Sequence, residues 1–358
     1  VFMKVIDVRN VNQAFMWGID LFNSDVNYRE QESRNGPTRE ILTPVTTIYS
    51  HPWQRVLFRE ERDANPFFHL YESIWMLAGS RDLQKLTHFN AGMANFSDNG
   101  ETLNGSYGYR WRYQFAHDQL VTVVDMLKRD PDSRRVVLQM WDAVYDLDSP
   151  SKDIPCNTNI YFKIRDNKLQ MTVCNRSNDM IWGAYGANAV HMSVLQEYIA
   201  ATLGLEMGPY YQISDSFHIY LNKEWDKVKH IDGVDFYDRQ YWNAMGYPEP
   251  HYPLVTEGQA DNFIKECEQF LFSIPPRRVA GNPELVNDWP NMFGASGYTN
   301  KFFPDVMIPM THAYLKHKER KYEDCYKYLG EIKAVDWQQA CFTWVKRRER
   351  NWRNKNGS

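Results

Sequence analysis

Residues 154–179 read "IPCNTNIYFKIRDNKLQMTVCNRSND", and this stretch decides the fold class. "NIYFKI" alternates, "RDNK" is a polar turn and "LQMTVCN" alternates again, which is the signature of a β-hairpin. Cys156 follows Pro155 and stands just ahead of the first strand, while Cys174 lies near the end of the second. Upstream, "VVLQMW" (136–141) begins with β-branched residues and reads as another strand. Residues 66–78, "PFFHLYESIWMLA", read as a helix: proline at the start, apolar residues at spacings of three and four, and Gly79 after the end. Residues 188–203, "NAVHMSVLQEYIAATL", read as a second helix closed by Gly204. From about residue 310 the chain reads as charged helices, ending in "WVKRRERNWRNKNGS". Strands and helices mix without regular βαβ alternation, so the expected class is α+β.

No repeat, low-complexity tract or linker divides the 358 residues. A catalytic domain over 1–300 is expected, with a helical, charged C-terminal extension over 301–358 packed on it. Hydrophobic residues make up 43% and the net charge is −4, so there is no basic excess of the kind a general nucleic-acid binder carries. No run of about 18 apolar residues suggests a membrane span, and the first fifteen residues lack a signal-peptide core. The five cysteines (156, 174, 267, 325, 341) are scattered and odd in number. They fit neither a disulfide framework nor a structural zinc site, and a reducing cytoplasm is the expected compartment.

A cysteine becomes a nucleophile where a cation or a helix N-terminus favours its thiolate. Arginine forks grip phosphate oxygens in pairs, and "SRNGPT" (33–38), "DSRR" (132–135) and "CNRSND" (174–179) each carry one or two. Together with a cysteine they suggest an anionic substrate attacked by a thiolate; singly, each reads equally well as a solvated turn or strand end. "SDSFHIYLN" puts His218 and Tyr220 on one face of a strand, where both can hydrogen-bond a sugar hydroxyl. Glu72 falls nearly opposite Ile74 on its helix, and periodicity alone reads it as a solvated carboxylate.

In order, "SRNGPT", "ESIWMLAGSRD", "NGSYGYRWR", "PDSRRVVLQMW", "IPCN", "NRSND", "GANAV" and "SDSFHIY" resemble the thymidylate synthase family from about residue 30 to about 225. The resemblance implies a large mixed sheet flanked by helices, with two such sheets packed back to back in a homodimer. It implies a pyrimidine nucleoside monophosphate as substrate, methylenetetrahydrofolate as one-carbon donor and no metal. Cys156 then attacks carbon 6 of the pyrimidine. Arg34, Arg176 and Ser177 hold the phosphate, with Arg134 and Arg135 reaching across from the partner. His218 and Tyr220 match the residues at the deoxyribose 3′-hydroxyl. Asp179 matches the aspartate at the folate pterin, while Glu72 and Tyr107 match residues that manage protons and water at the ring. Asn188 matches the asparagine that reads the base: its amide suits uracil, and a flipped amide suits cytosine.

Departures bear on the last step. "GAYGAN" and "SDSFH" each carry one residue more than the family's stretch. The family's tryptophan pair beside the folate appears as Met93 and Phe96, the histidine after the nucleophile is Asn157, and the short apolar closing tail is replaced by a long basic one. Hydride from the folate turns an exocyclic methylene into a methyl group, whereas water turns it into hydroxymethyl. An altered wall and a missing tail weaken the exclusion of water. The expected reaction is therefore dUMP to 5-hydroxymethyl-dUMP, as in phage and antibiotic-pathway relatives, carried out in the host cytoplasm if phage-encoded. The competing readings are a thymidylate synthase with a variant C-terminus, a dCMP or CMP hydroxymethylase, and a catalytically inactive nucleotide- or RNA-binding protein.

Overall fold

The strands of the computed structural model are, in chain order, β1 (Lys4–Val8), β2 (Tyr28–Gln31), β3 (Thr38–Ile41), β4 (Val45–Tyr49), β5 (Val137–Gln139), β6 (Asn157–Arg165), β7 (Lys168–Asp179) and β8 (Glu206–Tyr220). The structure describes residues 2–231, 235–238, 242, 251–274 and 297–356. Part of the stretch after 230, whose contribution the sequence leaves open, therefore lies outside the described residues. Among the described residues the strands form one mixed eight-stranded sheet in the order β1-β4-β8-β7-β6-β5, with β3 also on β8 and β2 on β3. β1 runs parallel to β4 and β7 parallel to β8; the other pairings are antiparallel.

The β6–β7 hairpin forms where its sequence pattern put it. Its two-residue loop is Asp166-Asn167, with φ of 50° and 57°. Asp and Asn tolerate the left-handed region that a type I′ turn demands at both positions. β5 is shorter than "VVLQMW" because the Met140 and Trp141 N–H groups both donate to Thr158 O at 2.9 Å instead of continuing the ladder. β8 begins well before the recognised "SDSFHIY". Gly208-Pro209 lies inside it, where the register against β7 skips between Leu169 and Met171, and proline is tolerated at such an irregularity.

One change of phase shapes the site. Along β7 the inward residues are Leu169, Met171, Val173 and Asn175, and the next is Asn178; along β8 they are Tyr210, Gln212 and Ser214, and the next is Phe217. Both strands slip together, so the pairs Asn175↔Ser214, Ser177↔Ser216, Asn178↔Phe217 and Asp179↔His218 stay in register. Asn178 and Ser214 thereby share the core side of the sheet.

The chain divides into two compact units with interleaved segments, Val1–Ala64 with Tyr109–Glu249, and Asn65–Gly108 with Pro250–Ser358. A boundary at 300 does not coincide with either. The first unit holds the whole sheet. Its helix Asn188–Leu203 packs on β7 and β8 and is buried on every side from Asn188 to Ala200. The helix ends in a Schellman motif: Gly204 at φ 69°, with Gly204 N donating to Ala201 O (3.1 Å) and Leu205 N to Ala200 O (2.9 Å).

The second unit is helical. Helix Pro66–Leu77 is buried at all twelve residues, capped by Asn65 Oδ1 accepting from Phe68 N. Helices Ala260–Phe272, Ile308–Lys318 and Val335–Asn356 pack against it. Among the described residues no helix is long and apolar enough to cross a membrane.

Candidate active site

Cys156 is half-buried at the entry to β6, and Arg176 of β7 is tied to the tripeptide that carries it. Arg176 Nε donates to Pro155 O (3.0 Å), Nη2 to Ile154 O (3.1 Å), and its backbone N–H to Cys156 O (3.0 Å). Arg34 reaches the same loop, Nη2 donating to Lys152 O at 2.9 Å. It sits in the turn 33–36, where Ser33 and Gly36 exchange backbone hydrogen bonds and Gly36 takes φ 117°, against the Asn222 side chain. Nη1 of both arginines has no partner among the described residues, so each keeps a donor for an anion. The Ser177 hydroxyl, half-buried one residue on, likewise makes no hydrogen bond among them.

Burial pushes the Cys156 thiol above its ordinary pKa. Arg176 pulls it down, Asp153 and Asp179 raise it again, and Arg34 lowers it slightly. In the ligand-free chain burial wins, and the guanidinium groups moderate rather than abolish the cost of a thiolate.

Asp179 ends β7 opposite His218. Its Oδ1 accepts from the N–H groups of Ile181 and Trp182, both at 2.7 Å, while its buried Oδ2 has no partner among the described residues. Burial raises this carboxyl, offset only in part by Trp182 N–H, His218, Ile181 N–H and Arg62. Arg62, itself buried, donates from Nε to Ile181 O (2.8 Å) and lies 4.1 Å over the Trp182 ring. Burial draws Arg62 down to about 10 despite Asp179, Glu224 and Asp63.

His218 and Tyr220 do share one face of β8, with ring centroids 5.4 Å apart. His218 pairs in register with Glu40 and Tyr220 with Thr38; Tyr220 also accepts from Asn35 Nδ2 at 3.4 Å. Burial alone would raise Glu40, but hydrogen bonds from Ser216 and Arg29 outweigh it and hold the carboxyl low.

Asn188 begins the buried helix. Its Nδ2 donates to Asn178 Oδ1 (3.0 Å), and Asn178 Nδ2 donates to Ser214 Oγ (2.9 Å). Asn188 Oδ1 and its second amide hydrogen take no partner among the described residues. Among the described residues neither amide atom of Asn157, fully buried beside the nucleophile, has a hydrogen bond, nor has Oδ1 of Asn175 across from it.

The structure thus brings Cys156, Arg34, Arg176, Ser177, Asp179, Asn188, His218 and Tyr220 to one end of one sheet. Arg134 and Arg135 stand apart in the turn before β5, exposed and with no hydrogen bond or ion pair among the described residues. Glu72, Met93, Phe96 and Tyr107 belong to the second unit. Glu72 is buried, which corrects the solvated reading that periodicity suggests: its helix has no solvent face. Met93 is half-buried and Phe96 43% exposed in the turn Ala91–Phe96, and Tyr107 opens the helix Tyr107–Tyr109. Sequence reasoning missed Arg62, Asn178, Ser214 and Glu40. Asn178 lay inside the quoted "NRSND", but nothing in the string reports the change of phase that turns it inward.

A thiol beside two anion-gripping guanidinium groups, with a free amide donor–acceptor pair nearby, is equipped for covalent attack on an anionic heterocycle. That class of site on this sheet is the thymidylate synthase class, and the thymidylate synthase family model matches residues 62–235. The deoxyuridylate hydroxymethyltransferase of Pseudomonas phage M6 is 41% identical over 97% of this chain and 95% of its own. That of Bacillus phage SP01 is 37% identical over 59% of this chain and 58% of its own, and that of Delftia phage PhiW-14 30% over 68% and 69%. The chain belongs to the thymidylate synthase family. Members of that family act on a pyrimidine nucleotide and take methylenetetrahydrofolate as co-substrate.

Proposed function

We propose that the protein converts dUMP, methylenetetrahydrofolate and water to 5-hydroxymethyl-dUMP and tetrahydrofolate. The observation that carries this reading is the near-full-length likeness to the M6 deoxyuridylate hydroxymethyltransferase. Arg34, Arg176 and Ser177 hold the phosphate, and Arg134 and Arg135, without partners among the described residues, reach the phosphate site of a second copy in a homodimer. His218 and Tyr220 take the 3′-hydroxyl, and Asn188 reads the uracil edge. The Cys156 thiolate adds to carbon 6, which moves an electron pair to carbon 5. Glu72 and Tyr107 handle the proton and water traffic at the ring.

Asp179 fits the folate, since its buried Oδ2 lacks a donor among the described residues and a pterin N–H supplies one. When bound, methylenetetrahydrofolate supplies the one-carbon unit that carbon 5 takes up. Carbon 5 then gives up its proton, the bond to the folate nitrogen breaks to release tetrahydrofolate, and an exocyclic methylene is left. Water adds to that methylene with loss of a proton, and the electron pair returned to the ring expels the Cys156 thiolate from carbon 6. Met93 and Phe96, in place of the family's tryptophans, and the helical extension from 301 onward belong to the changes that admit water. The work is done in the cytoplasm, the host's if the chain is phage-encoded.

The test is incubation of the purified protein with dUMP and methylenetetrahydrofolate, with mass analysis of the nucleotide and the folate. Hydroxymethyl product with tetrahydrofolate supports the reading. Thymidylate with stoichiometric dihydrofolate replaces it with an ordinary synthase.

A further inference from the structure

The amide of Asn188 has one oxygen and two N–H groups, and one N–H is already committed to Asn178. What remains is one acceptor and one donor, the complement of uracil's N3–H and O4. Cytosine presents the reverse order, so reading it requires the Asn188 amide to turn over. Turned alone, Asn188 would set its Oδ1 against Asn178 Oδ1, two acceptors facing each other. To avoid that, Asn178 must turn too, and Ser214 must change from acceptor to donor. The three residues are 5%, 2% and 1% exposed, so bulk water has no ready route in to replace a lost partner. Gly183 lies against the relay: a Cβ there would come within 2.8 Å of Asn178 Oδ1, so a larger residue would press on the atom that accepts from Asn188.

We infer that Asn178 and Ser214 are specificity-determining positioning residues, a relay that fixes the polarity of the Asn188 amide and so favours uracil over cytosine. The inference rests on the reading of Asn188 as the base-contacting residue.

Equilibrium binding of dUMP and of dCMP to the full chain tests it, because binding does not depend on turnover. The parent is expected to prefer dUMP. Asn178→Ala frees Asn188 to turn alone, and the preference for dUMP over dCMP should shrink by about tenfold. Asn178→Asp still offers Asn188 only an acceptor and should keep the preference, with Ser214 now donating. Ser214→Ala should fall between the two. A merely structural role would weaken both nucleotides alike and leave their ratio unmoved. An unchanged ratio in Asn178→Ala therefore overturns the relay while leaving the site reading intact. A parent that binds neither nucleotide, or favours dCMP, overturns the site reading and the relay with it. If Asn178→Ala does not fold, the ratio in Ser214→Ala decides by the same criterion.

Discussion

The end of β7 and β8 and the aromatic core around helix Pro66–Leu77 treat polar groups in opposite ways. At the end of β7 and β8 they are wired into chains whose last atoms stay open: Asn188 to Asn178 to Ser214, and Asp179 to two backbone N–H groups with Oδ2 to spare. Around helix Pro66–Leu77 the interior is aromatic and sulfur-bearing. Phe67 meets Tyr314 and Trp344, Tyr71 stacks on Phe89 at 4.1 Å, and Cys325 and Cys341 are buried. Among these, His317 lies 5.2 Å from the Trp344 ring, its buried Nδ1 without a hydrogen bond among the described residues. Where polar burial ends in open valences it prepares a site for a ligand; where it ends in an isolated atom it only makes stability depend on pH.

The sharpest way to break this comparison is to remove the nucleophile. Cys156→Ala should lower turnover by at least about a thousandfold, while dUMP binding and the thermal transition stay near those of the parent. Full turnover in this variant would end the assignment of Cys156. Arg176→Ala comes next, with a loss of roughly a hundredfold in kcat/KM, because it removes both a phosphate contact and the largest charge favouring the thiolate. The thiol, already raised by burial, should rise further. Alkylation of Cys156 by iodoacetamide, followed against pH, should then shift to higher pH than in the parent. An unmoved profile would mean that Arg176 acts on the phosphate alone.

How much of this was legible beforehand follows from where periodicity carries information. The β6–β7 hairpin and the helix 188–203 stand where the string put them, because alternation and a closing glycine are local signals. The arginines and Cys156 were recognisable as an ordered set. Glu72 was misread from its pattern because a helix buried on all sides has no polar face to betray which residues are inside. Asn178 and Ser214 were invisible for another reason. They are 36 positions apart, and their meeting depends on two strands slipping phase together. Arg62 had no motif around it; its place under Trp182 is a tertiary fact.

A smaller effect belongs to the helical unit. Burial, with Arg320, Lys318 and Arg348 adding to it, draws His317 down to about 4. Between that value and its ordinary 6.5 the unfolded chain binds a proton that the folded chain refuses, so stability is full above about pH 6.5 and declines as pH falls towards 4. One such group contributes about 2–3 kcal/mol over that range. His317→Phe should flatten the decline by that amount in urea titrations at pH 7 and pH 4.5. An identical pH slope in the variant would show that the histidine is not the source.

The smallest effect tests the open end of the polar side. Asn157 is fully buried next to Cys156, with neither amide atom hydrogen-bonded among the described residues, and Asn175 opposite it carries one more open acceptor there. An unmet buried amide costs about 1–3 kcal/mol unless water meets it, so the position favours holding water beside the reacting carbon. The family's usual histidine there offers one donor and one acceptor on a rigid ring, with less freedom to accommodate water. Under the proposed reaction, Asn157→His should leave dUMP binding nearly unchanged and raise the fraction of methyl over hydroxymethyl product by a few-fold. The measurement is the product ratio by mass analysis. A ratio that does not move would place control of the last step elsewhere, with Met93, Phe96 and the C-terminal helices as the remaining candidates.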